Sequence, residues 1–70
     1  MNFEPIKIKE EFIRLDSAMK LGDLVVTGGH AKIVIQDGEV LVNDEVCTMR
    51  GKKLRSGDTA EFNGQVLKVE

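Results

Sequence analysis

The sequence has no tryptophan, no tyrosine and only three phenylalanines. Base-stacking platforms of the kind used for single-stranded nucleic acid are therefore poorly supplied, and Phe3, Phe12 and Phe62 are expected in the core. Cys47 is the only cysteine, which excludes an intramolecular disulfide and points to a reducing compartment. His30 is the only histidine; with one Cys and no carboxylate cluster at ligand spacing, no metal site is expected. No run approaches the roughly 18 apolar residues of a membrane span, and no basic-then-apolar segment opens the chain. A cytoplasmic location without membrane contact is expected. Basic excess is missing too, since the net charge is −2. The distribution outweighs the sum: Arg50, Lys52, Lys53 and Arg55 fall within six positions that contain no acid, and a local positive face can exist on an acidic protein.

What is present is an ordinary globular composition, 41% apolar and 31% charged over 70 residues. That is enough for one small core, so residues 1–70 are read as a single domain. Residues 3–8 contain the only proline and read as a short edge strand, where a missing N–H is tolerated. From Phe12 the spacing becomes helical through Leu15, Ala18 and Met19. The expected helix runs from about Ser17 to Leu21, with Asp16 as N-cap and Gly22 in the left-handed position that ends it. Leu24 to Val26 form an apolar link.

Thr27 offers a hydroxyl cap to a second helix, and Gly28-Gly29 stand at its first turn. Two glycines there cost helix propensity, on the order of 1 kcal/mol each relative to alanine. Either the turn is too crowded for a Cβ, or the bare backbone N–H groups receive a phosphate oxygen with help from the helix dipole. Ala31, Val34 and Ile35 make the buried stripe of this helix, with Lys32 and Gln36 opposite. Asp37-Gly38 ends it. The chain then enters a strand over Glu39–Asn43, with Val40 and Val42 facing the core and Leu41 the other side. Asn43-Asp44 is a tight-turn pair returning through Val46. The run from Thr48 to Gly57 reads as a loop with only Leu54 buried, and most such charge runs are solvated faces. Thr59–Phe62, Asn63-Gly64 and Gln65–Val69 carry a strong hairpin signal, and Phe62, Leu67 and Val69 can seal one side of a small sheet.

Catalysis would need a nucleophile, an acid/base pair or a metal in mutual reach. Cys47, beside Val46 in a strand, reads as a small buried hydrophobe. His30 reads as an exposed polar residue or phosphate donor at a helix start. The dinucleotide and triphosphate glycine fingerprints are absent. No enzymatic activity and no cofactor are expected.

Taken together, Arg14-Leu15-Asp16, Lys20-Leu21, Thr27-Gly28-Gly29, Ala31-Lys32, Gly38, Val42-Asn43, Arg50 to Arg55 and Gly57-Asp58 resemble an RNA-binding module. This is the S-four-type domain, or αL motif, found in a small-subunit ribosomal protein, pseudouridine synthases, tyrosyl-tRNA synthetases and a heat-shock ribosome-recycling protein. The likeness covers Phe12 to Phe62 and is nearest to the stand-alone bacterial group of the YbcJ and YaaA type.

The resemblance implies an α+β fold, two short helices packed on a small, mostly antiparallel sheet. It also implies binding of structured RNA, ribosomal RNA or a ribosomal particle, by a monomer, with ribosomal proteins as further partners. Carried over by position, Thr27, Gly28, Gly29, His30 and Lys32 would form the helix side of the contact surface. Arg50, Lys52, Lys53 and Arg55 would form an adjacent loop side, with Lys20 and Arg14 as further candidates. The family pattern has Ser-Arg where Gly28-Gly29 stand, which removes a contact arginine, and Gly where Asp44 follows Asn43. A rival reading, a protein-interaction module, would present Leu24, Val25 and Leu41 as an apolar patch. A sulfur carrier would need a C-terminal Gly-Gly, whereas the sequence ends Lys68-Val69-Glu70.

Overall fold

The structure, a computed structural model, describes residues 2–70, with side chains from residue 5 onward. The helical spacing after Phe12 does produce a helix, α1 (Leu15–Leu21), with Leu15, Ala18 and Met19 buried. It begins two residues before the expected start. Arg14 stands at the N-cap position with no side-chain bond, and Asp16 lies in the first turn, its carboxylate accepting from the Ser17 N–H at 2.8 Å. The physical reason lies far away in the chain. The N–H groups of Leu15 and Asp16 donate to the carbonyls of Lys52 (2.8 Å) and Arg50 (3.1 Å), so main chain supplies what a capping side chain would otherwise supply. Gly22 follows the helix, but its φ is −85°; the left-handed residue is Asp23, at φ 61°. Gly22 instead relieves a tight approach, since a Cβ there would lie 3.3 Å from both the Ala18 carbonyl oxygen and Leu67 Cδ2.

Helix α2 (Gly28–Gln36) follows the expected pattern. The Thr27 hydroxyl accepts from the His30 N–H at 3.1 Å, and Ala31, Val34 and Ile35 are buried while Lys32 and Gln36 are exposed. Gly38, at φ +79°, turns the chain out of the helix.

Five strands form one sheet in the order β1 (Asn2–Ile6), β7 (Gln65–Val69), β6 (Thr59–Phe62), β3 (Val40–Val42), β4 (Glu45–Val46). All pairs are antiparallel except β1 with β7, which is parallel. Pro5 sits on the edge strand, shorter than the span 3–8 read from the sequence. Both hairpins turn on left-handed pairs, Asn43-Asp44 (φ 50° and 69°) and Asn63-Gly64 (φ 54° and 79°), as two-residue primed turns require. Val40 and Val42 point into the core and Leu41 is half-buried on the other side. Leu67 and Val69 are buried, and Phe62 is half-buried against them.

The run Thr48–Gly57 is not wholly a loop. It contains β5 (Lys53–Leu54), paired antiparallel with β2 (Ile13–Arg14) in a two-stranded ribbon just before α1. Leu54 is the buried member. Cys47 lies just past β4, half-buried against the core rather than enclosed in a strand. Phe12 is also only half-buried and lies outside the core cluster, while the Phe3 side chain falls outside the described residues.

Candidate nucleic-acid interface

The basic segment is fastened at both ends. At one end, the carbonyls of Arg50 and Lys52 hold the start of α1, as described, and β5 pairs Leu54 with Ile13 and Lys53 with Arg14. At the other, Asp58 closes a turn: its carboxylate accepts from the Arg55 N–H at 2.7 Å, and its own N–H donates to the Arg55 carbonyl at 2.9 Å. Asn43 joins that turn to the neighbouring hairpin, donating from Nδ2 to Asp58 at 3.2 Å and accepting from the Thr59 N–H at 3.0 Å. Arg50, Lys52, Lys53 and Arg55 are all exposed. Their main chain is fixed while their side chains reach solvent.

Arg14 belongs to the same group. It is the cross-strand partner of Lys53, its guanidinium lies against Gly51, 3.7 Å from where a Cβ would stand, and Asp16 pairs with its Nη2 at 3.3 Å. Two cations directly opposite one another across a ladder repel. Lys53 is steadied by the Phe12 ring, with Nζ 4.8 Å from the centroid, an arrangement the ring quadrupole favours. Phe12, expected in the core, is instead the platform under a surface cation.

The start of α2 offers a different chemistry. Gly28 and Gly29 are exposed and free of crowding: a Cβ on Gly28 would meet nothing within 4 Å, and one on Gly29 only the Thr27 hydroxyl, at 3.9 Å. Crowding therefore does not explain the pair. Their N–H groups find no acceptor among the described residues, as expected of the first turn of a helix. His30 packs edge-on against Phe62, ring centroids 6.0 Å apart, which ties the helix start to β6. Lys32 is exposed on the next turn, and Lys20 is exposed in the last turn of α1.

Among the described residues, no hydrogen bond or ion pair joins the α2 start to the basic ribbon. Helix α1 relates them, since the ribbon holds its first turn and α2 packs along it. The apolar patch of the rival reading does not form. Leu24 and Val25 are 8% and 2% exposed, because the Met19 carbonyl draws both N–H groups in, at 2.9 and 3.3 Å, and Leu41 is half-buried. Among the described residues, no helix is long and apolar enough to cross a membrane.

Comparison with known proteins agrees with this architecture. The solution structure of YbcJ from E. coli, described as revealing an αL motif involved in RNA binding, superposes with a TM-score of 0.74 at 30% identity, covering 99% of this chain and 89% of that one. A probable ribosome maturation protein of Bacillus subtilis (strain 168), RlbA, is 47% identical over 60 residues, which is 86% of this chain and 84% of the relative. Residues 6–70 match the family described as S4 domain. With nearly its whole length matched, with two helices on a mostly antiparallel sheet and with a solved relative of the same fold, the chain belongs to the S4 domain family.

Proposed function

We propose that this protein binds structured RNA, ribosomal RNA or a maturing ribosomal particle, through phosphate contacts from two groups of residues. One is the start of α2, formed by Thr27, Gly28, Gly29, His30 and Lys32; the other is the ribbon face formed by Arg50, Lys52, Lys53, Arg55 and Arg14. The observation that carries the reading is the fastening of the basic segment. A solvated charge run needs no anchorage, whereas this one holds the N-terminus of α1 with its carbonyls and is closed by Asp58 at its far end. A row of cations carried on a fixed main chain loses little backbone freedom on binding, and A-form RNA presents a regular array of phosphates and 2′-hydroxyls that such a row can recognise by shape. The bare N–H groups of Gly28 and Gly29 add a phosphate site of another kind, favoured by the helix dipole. Family membership and the descriptions of the two relatives support the same partner class.

The test is binding to ribosomal RNA fragments at several salt concentrations, with a Lys52→Glu/Lys53→Glu/Arg55→Glu variant alongside. Wild-type affinity should fall steeply with salt, as counterion release requires, and the folded variant should lose most of it. Equal binding by the two proteins would reduce the segment to a solvated face.

A further inference from the structure

A groove of about 470 Å³ opens beside the basic ribbon, between the link that follows β1 and the end of α1. Its walls are apolar: Ile8, Phe12 and Ile13 are half-buried along it, and Leu21 is 58% exposed at its side. Its rim is cationic, with Lys7, Lys9 and Arg14 set against the single carboxylate of Glu10. Its volume falls within the roughly 300–1,000 Å³ of clefts that hold small organic groups.

We propose that this groove takes one unpaired nucleotide of the bound RNA, the base lying against Phe12, Ile13 and Leu21 and the flanking phosphates meeting Lys7, Lys9 and Arg14. The proposal rests on the RNA-binding reading and adds base capture to a surface otherwise suited to backbone contacts. Charge complementarity selects the occupant. An apolar peptide would bring no anion to the cationic rim, where Arg14 alone has a carboxylate partner among the described residues, Asp16, and an acidic peptide would leave the apolar walls wet. A nucleotide brings a flat apolar face and an anion in one unit, and an extruded base can stack on an aromatic ring whatever its identity. Continuity supports the same occupant. Arg14 belongs to both the groove and the basic ribbon, and Phe12 lines the groove while carrying Lys53 on its ring. A strand whose phosphates follow the ribbon therefore arrives at the groove.

The experiment compares three stem-loop RNAs at low salt: one fully paired in its stem, one with a single bulged adenosine, and one with an abasic residue at the bulge. The abasic RNA keeps the bulge and its phosphate but lacks the base. Wild-type protein should bind the adenosine bulge roughly tenfold more tightly than the abasic one, the order expected of one stacked base. Leu21→Ser, at an exposed position, and Phe12→Ala, each checked for folding by circular dichroism, should bring that ratio close to one. Equal affinity of the wild type for the adenosine and abasic bulges, or a preference that persists in both folded variants, overturns the groove assignment while leaving RNA binding intact. Failure to bind any of the three RNAs overturns the RNA reading together with it.

Discussion

Gly28 and Gly29 occupy positions where the folded protein has no steric objection to alanine. Their backbone is helical and a Cβ would stand in open space or at ordinary contact distance. Alanine at either site should therefore stabilise the protein by up to about 1 kcal/mol through helix propensity, raising the melting temperature by several degrees as read by circular dichroism. RNA affinity should move the opposite way, because a methyl group would hold a phosphate away from the exposed N–H groups. A variant that gains both stability and affinity would remove the helix start from the interface. Asp58 shows a different economy at the scale of one residue, its two carboxylate oxygens serving the Arg55 N–H and the Asn43 amide. One side chain thus aligns the end of the basic segment with a neighbouring hairpin.

At the scale of elements, the β2–β5 ribbon holds the proposed interface in place, and its weight rests on Leu54. That side chain has no exposed surface, and a Leu→Ala change at such a site costs about 2–5 kcal/mol. Leu54→Ala should lower the urea midpoint accordingly. Where the variant remains folded, RNA binding should weaken although no charge has been altered, because the anchor of Lys53 is loosened. The ribbon is also the part of the fold least legible in the sequence. Helix α2 announces itself through Thr27, the Ala31, Val34 and Ile35 stripe and Gly38, and the two hairpins through Asn43-Asp44 and Asn63-Gly64, because these signals are local. β2 and β5 have two residues each, too few to show the alternation that marks a strand. The start of α1 is hidden for a related reason: its first acceptors belong to Arg50 and Lys52, whereas local capping rules favour Asp16. Among the candidate site residues, Arg14 emerges by the resemblance and then by its pairing with Lys53. Phe12 carries no local mark to separate a core ring from a platform for a cation.

For the molecule as a whole, a net charge of −2 sets a general repulsion from RNA against a local attraction. Screening weakens both, but a face of several cations touching phosphates dominates the salt dependence. Lys68→Glu, on exposed β7 surface outside the proposed interface, makes the whole protein more acidic without touching that face. It should leave the slope of log affinity against log salt nearly unchanged, whereas each phosphate that a substitution in the basic ribbon leaves unneutralised should lower it by somewhat less than one unit. Fluorescence anisotropy with a labelled ribosomal RNA fragment, repeated over a salt series, measures both.

The parallel pairing of β1 with β7 sets Asn2 beside Gln65 and Ile6 beside Val69, and the Glu70 N–H donates to the Ile6 carbonyl at 2.8 Å. Of the strands in this sheet, the first to leave a ribosome thus has to wait for the last. Helices and hairpins can form as their residues emerge, but this ladder closes a loop spanning nearly the whole domain, the kind of pairing that slows folding. A chain arrested before β7 lacks the neighbour that completes its sheet, so the edge of β6 stays open until Gln65 to Val69 have emerged.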